Sequence, residues 1–132
     1  MKKIHPTAKY FETNEWARLE GDYFTIGITD FAQTVFGDIT FIELPKIGTS
    51  FQQGKPFAIT ESSKAANDIF MPLSGEIMAV NEVLLENPAW LNKAPYDQGW
   101  IAKIKANDLS EWKQLMTAEQ YADYIGAFFK KT

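Results

Sequence analysis

Residues 56–80 read P-F-A-I-T-E-S-S-K-A-A-N-D-I-F-M-P-L-S-G-E-I-M-A-V. Three short runs rich in apolar residues, 56–61, 68–71 and 75–80, are divided by a turn of small residues and by the breakers at 72–75. Runs of this length between turn residues predict strands. The segment 61–68, E-S-S-K-A-A-N-D, then lies between two of them and puts Lys64 near the tip of a hairpin, flanked by Ser62, Ser63, Ala65 and Ala66.

The pattern extends in both directions. In D-Y-F-T-I-G-I-T (22–29), Phe24, Ile26 and Ile28 alternate with polar or small residues, the period-two mark of a half-buried strand. Further strands are predicted at 38–44 and 100–105, with turn chemistry at 45–48, 54–56 and 95–99. Many short strands at this spacing predict a mainly β fold, a flattened barrel or sandwich. Helical pattern is confined to 30–36, where Asp30 can cap, to 81–86 ahead of Pro88, and to the C-terminal segment. There Thr117 and Gln120 spell a T-x-x-Q capping box, and Tyr121, Tyr124, Ile125, Phe128 and Phe129 recur at helical spacing, so a terminal helix is expected to pack on the sheet.

Composition narrows the function. At 132 residues the chain is long enough for one core without metals or staples. It has no cysteine, which excludes disulfides, thiolate metal sites and a cysteine nucleophile. Thirteen basic residues against seventeen acidic ones leave a net charge of -4 with no long basic run, which argues against nucleic acid. No apolar run approaches the roughly eighteen residues of a membrane span, and the start M-K-K-I-H-P-T is not a signal peptide, so a cytoplasmic protein with no membrane contact is expected.

Lys64 is the one residue whose setting asks for chemistry. A nucleophilic lysine needs burial or a neighbouring cation; this one has small neighbours, with Glu61 and Asp68 nearby. It suits passive acceptance of an acyl group inside another enzyme's site, since small residues on a tight turn leave the amine open from several sides.

The same residues carry a family likeness. Glu61, Lys64, Ala65, Pro72 and Gly75 resemble the E-x-x-K-A…P-x-x-G pattern of lipoyl domains. The fuller string E-S-x-K-A-x-x-D, then P-x-S-G-E and V-N, met over 61–81, resembles more narrowly the H proteins of the glycine cleavage system. The likeness continues in E-W (15–16), I-G-I-T-D-F-A-Q (26–33), G-D-I (37–39), F-I-E-L-P-K-I-G (41–48), N-P-A-W-L-N (87–92), P-Y (95–96) and G-W-I-A-K-I (99–104), in order from about residue 10 to about 125.

That resemblance implies a barrel-sandwich hybrid with appended helices: a single lipoyl-carrier domain over 1–132, its core at about 10–105 and a helical segment at about 110–130. It implies lipoate joined to Lys64 by an amide, with Glu61, Ser63 and Ala65 recognised by the lipoate-attaching enzymes. It implies an arm that passes from glycine decarboxylase to an aminomethyltransferase and then to dihydrolipoamide dehydrogenase, on a chain that is not itself an enzyme. Glu15, Asp68 and Thr13 match positions where the family contacts the loaded arm. A lipoyl relay that serves other dehydrogenases, and a regulatory lipoylated paralogue, share the same lysine and stay open. One departure stands out: many relatives read H-E-W where this chain reads N-E-W, with Asn14 in place of histidine.

The remaining candidates read as structure. The glycines form neither a phosphate loop nor a dinucleotide fingerprint. His5 lies near the terminus without a partner motif, so no metal is expected. The four tryptophans are scattered, without an interleaved basic patch, and are expected in the core.

Overall fold

The computed structural model describes residues 3–130, with side chains to residue 126. Nine strands and five helices follow in the order β1 (Lys9–Tyr10), β2 (Glu15–Glu20), β3 (Tyr23–Ile28), α1 (Asp30–Phe36), β4 (Ile39–Glu43), β5 (Ser50–Phe51), β6 (Pro56–Ser62), β7 (Ala66–Phe70), β8 (Gly75–Val80), α2 (Val83–Glu86), α3 (Trp90–Lys93), β9 (Ala102–Ala106), α4 (Leu109–Gln114) and α5 (Ala118–Lys130). Six strands form one antiparallel sheet in the order β1-β2-β3-β9-β8-β5, and β4-β6-β7 form a second. The expected mainly β fold with short helices and a C-terminal helix therefore forms, as two sheets that do not close on each other.

The core contains the apolar members of both sheets: Ile26, Ile28, Ile77 and Ile104 from the large one, Ile42, Ala58 and Ile69 from the small one, with Leu84 and Leu91 from the short helices. The strand β3 differs from the half-buried expectation. Every residue from Phe24 to Ile28 is buried, because its second face is also covered: the Trp16 indole folds over Gly27 so closely that a Cβ there would stand 2.9 Å from the ring. Glycine is required by that approach, not by backbone angle.

The helix α1 begins where expected, but its cap is Thr29, not Asp30. Thr29 is extended and its Oγ1 accepts from Ala32 N–H at 3.1 Å, while Asp30 is already helical and its carboxylate accepts from Gln33 Nε2 and Lys3 N. The C-terminal helical segment is broken in two. Between α4 and α5, Met116 pairs as a bridge with Tyr10, each N–H meeting the other's carbonyl at 2.9 Å. After that break the capping box forms in both directions, Gln120 N to Thr117 Oγ1 at 3.2 Å and Thr117 N to Gln120 Oε1 at 2.9 Å.

Tyr121 and Ile125 then bury α5 in a second cluster with Ala8, Tyr10, Trp16 and Tyr96, where the Tyr10 and Tyr121 rings stack with centroids 4.4 Å apart. Phe128 and Phe129, expected on the same face, lie outside the described side chains.

Candidate functional site

The site is built on the β6–β7 hairpin. Its strands stay in register through Thr60 opposite Asn67 and Glu61 opposite Ala66, and the turn closes by Ser62 N–H on Ala65 O at 3.0 Å. Ser63, Lys64, Ala65 and Ala66 are all exposed, so the tip carries one long side chain among short ones. Ser62 Oγ is the hub of the turn. It accepts from Lys64 N–H at 3.2 Å and donates to Phe36 O at 2.8 Å, which ties the hairpin to the C-terminal end of α1.

The lysine stem runs beside the next residue of that connection. A Cβ built on Gly37 would lie 3.4 Å from Lys64 Cε and 3.5 Å from Cδ, so the stem passes over the bare face of a glycine. Gly37 ends α1 at φ 81°, a conformation that other residues adopt with strain. Asn92 on α3 holds this turn from the other side, its Nδ2 donating to Gly37 O at 2.8 Å and its Oδ1 accepting from Ile39 N–H at 2.9 Å. The sequence contained these residues in G-D-I and in N-P-A-W-L-N, but nothing in either string tells that they meet.

Glu15 and Thr13 come together. Glu15 opens β2, is 2% exposed, and uses both carboxylate oxygens: Oε1 accepts from the Thr13 hydroxyl, and Oε2 from Phe70 N–H at 3.0 Å. The second bond links the large sheet to β7 of the small one. Burial pushes the Glu15 carboxyl up to about 8, working against both hydrogen bonds, which favour the charge. Asp68 lies two residues before Phe70 on the same strand. It is exposed on β7 opposite Ile59 and lines a hollow with Glu43, Leu44 and Pro56. Glu61 is exposed as well, opposite Phe41 and Ala66.

A raised carboxyl has a pH signature of definite sign. The folded form holds the Glu15 proton more tightly than an ordinary glutamate near 4.5 does, so this stabilisation is complete below that value and is lost as pH rises through about 8. Burial holds the His5 imidazole below its ordinary value, with the opposite pH trend in the acid range. The difference between wild type and Glu15→Gln removes that contribution. Wild-type stability is expected to fall relative to Glu15→Gln across pH 5 to 8, by at most ~1.4 kcal/mol per pH unit. Urea unfolding at four pH values measures it, and parallel curves would refute the assignment.

Asn14 also receives a structural account. It has φ 77°, the one positive value at a non-glycine residue among the described residues, in the tight turn before β2. Asparagine and histidine are both enriched in that region. Its carbonyl accepts from Thr29 N–H at 3.0 Å and its Oδ1 from Tyr121 OH at 2.9 Å, so it joins the turn to α5.

Among the described residues no group of three His, Cys, Asp or Glu side chains could hold a metal ion, and no helix is long and apolar enough to cross a membrane.

Comparison with known proteins matches this chain over most of its length. The family model described as "Glycine cleavage H-protein" matches residues 8–128. A glycine cleavage system H protein of Geobacillus thermodenitrificans is 48% identical over 117 residues, 89% of this chain and 92% of that protein. One of Teredinibacter turnerae is 46% identical over 126 residues, 95% and 97% of the two chains. Among solved structures, a glycine cleavage system H protein from Mycobacterium marinum superposes with a TM-score of 0.85 at 30% identity, covering 93% of this chain and 99% of that one.

Proposed function

This chain belongs to the glycine cleavage H-protein family, and from that premise we propose that Lys64 bears a lipoyl group by which the chain carries the aminomethyl fragment of glycine between enzymes. The observation that carries the reading is the placement of Lys64 as the one long side chain at the exposed tip of the β6–β7 hairpin.

The residues present suit such a group. With no cysteine in the chain, the reversible sulfur chemistry belongs to the attached dithiolane, which supplies both the disulfide to be opened and the thiol that bears the one-carbon unit. Attachment joins Lys64 Nζ to the carboxyl carbon of an activated lipoyl donor. The nitrogen enters as the free amine, the donor's leaving group departs and the nitrogen gives up one proton, leaving a neutral amide. The protein's own part is mechanical. Ser62 fixes the base of the turn, Gly37 gives the stem room, and small neighbours admit the enzymes that attach and unload the arm.

Tethering keeps a reactive fragment at high local concentration beside a docked partner. The partners on this reading are glycine decarboxylase, the aminomethyltransferase that releases ammonia as it passes the carbon to a folate, and dihydrolipoamide dehydrogenase. Thr13 and Glu15 form one candidate contact for the amine of a loaded arm and the exposed Asp68 another; an ionised carboxylate offsets the charge of a protonated amine, and Glu15 becomes one only as pH rises through about 8. No group of the chain is asked to catalyse a bond change.

Reconstitution tests the proposal. Lipoylated protein with glycine decarboxylase is expected to support release of labelled carbon dioxide from glycine, at a rate that rises with carrier concentration. A protein that accepts lipoate yet supports no release would instead be a relay to other dehydrogenases.

A further inference from the structure

We infer that Asn92 is a positioning residue for the acceptor lysine: by fixing the Gly37 turn, it builds the bed on which the Lys64 stem lies and sets where Nζ is presented to the enzymes that acylate it. The inference rests on the carrier reading for its consequence, though not for its geometry.

Asn92 spends its whole side-chain amide on this region. Nδ2 donates to Gly37 O at 2.8 Å and to Gln33 Oε1 at 2.9 Å, and Oδ1 accepts from Ile39 N–H at 2.9 Å. The bonds grip the chain on both sides of Asp38, so the connection from α1 to β4 cannot shift without breaking at least one. Gly37 accepts this grip in a conformation with φ 81° that disfavours any side chain, and its bare face is what the Lys64 methylenes meet at 3.4 to 3.5 Å from the missing Cβ. The preceding residue, Phe36, offers its carbonyl to Ser62 Oγ at 2.8 Å. The same short turn thus holds the hairpin base through Ser62 and supports the stem through Gly37.

A lysine side chain free in solvent has rotamer freedom to lose when it is ordered. A stem already resting on a fixed surface has less to lose on entering a modifying enzyme. Asn92 touches neither Nζ nor any reacting group, so it acts only through the turn. If Asn92 were merely a loop fastener, its loss would lower stability and leave the lysine's presentation alone.

A matched control separates the two roles. Asn81 is buried where Asn92 is half-buried, and its Nδ2 likewise donates to two acceptors, Gln98 O and Trp100 O, each at 2.8 Å. The test compares full-length Asn92→Ala with Asn81→Ala by two readouts: 13C relaxation of lysine Cε in the unmodified protein, and kcat/KM for acylation by a purified lipoate-attaching enzyme. Both variants are expected to lose thermal stability. In Asn92→Ala alone, the Lys64 Cε signal becomes as mobile as that of the exposed Lys55, and kcat/KM falls roughly tenfold. Asn92→Asp keeps the acceptor for Ile39 N–H and removes both donors, and is expected to give the same pair of changes.

Unchanged Lys64 relaxation or unchanged acylation in both Asn92 variants, or an equal effect from Asn81→Ala, overturns the inference. Wild-type protein that is never acylated overturns the carrier reading instead, while the relaxation data still judge the bed beneath the lysine.

Discussion

Lys64→Arg is expected to abolish aminomethyl transfer, with glycine-dependent carbon dioxide release falling roughly a thousandfold or more to the level without carrier. The substitution keeps the positive charge and most of the aliphatic stem, which can still lie over Gly37. A guanidinium, however, stays protonated and offers no amine for an amide bond. Because the residue is exposed and its neighbours make their bonds through Ser62 and backbone atoms, unfolding free energy is expected to move by no more than about 0.5 kcal/mol. Carbon dioxide release and urea unfolding on the same preparation check both halves. Retained release would mean that another group carries the fragment.

Trp16→Ala is expected to have the largest effect on stability, about 3 to 5 kcal/mol, enough to leave a domain at the low end of the ordinary range, about 5 kcal/mol, partly unfolded at room temperature. Trp16 is fully buried, and its Nε1 donates to two carbonyls, Ile28 O at 2.9 Å and Pro95 O at 3.1 Å. Its ring covers Gly27, and the Arg18 guanidinium stands 4.9 Å from the ring centroid. Removing the indole opens a cavity over β3 and strands both carbonyls. Trp16→Phe fills part of the cavity but returns no donor, and its cost is expected between wild type and alanine. Urea midpoints order the three proteins, and a phenylalanine variant as stable as wild type would mean that the indole N–H contributes nothing.

What the sequence made legible follows from range along the chain. Strands β3, β4, β6, β7, β8 and β9 were readable within about two residues because apolar runs and turn residues are local signals. The strands β1 and β5, two residues each, are too short to show any period. The strand β2 hides because Glu15, Trp16 and Ala17 are all buried in succession, with a charged residue among them, so alternation fails where both faces are covered. The helix α4 buries no residue fully, and the short α3 offers one turn after Pro88, so neither carries an amphipathic pattern.

The site divides the same way. The turn around Lys64 is local and its residue types announce it. The Glu15 bond to Phe70 and the Asn92 bond to Gly37 each span 55 positions, and no local spacing encodes them. In the sequence Asn14 stands out only as a departure from family habit; its left-handed turn and its bond to Tyr121 give the position a structural role that asparagine performs without titrating.

Acceptance of the lipoyl group by Lys64 is checked by intact-mass analysis with peptide mapping of protein produced with lipoate available. A mass increase of one lipoyl group is expected, located on the peptide that contains Lys64 and absent from Lys64→Arg. An unchanged mass, or a lipoyl group mapped to any other lysine, would contradict it.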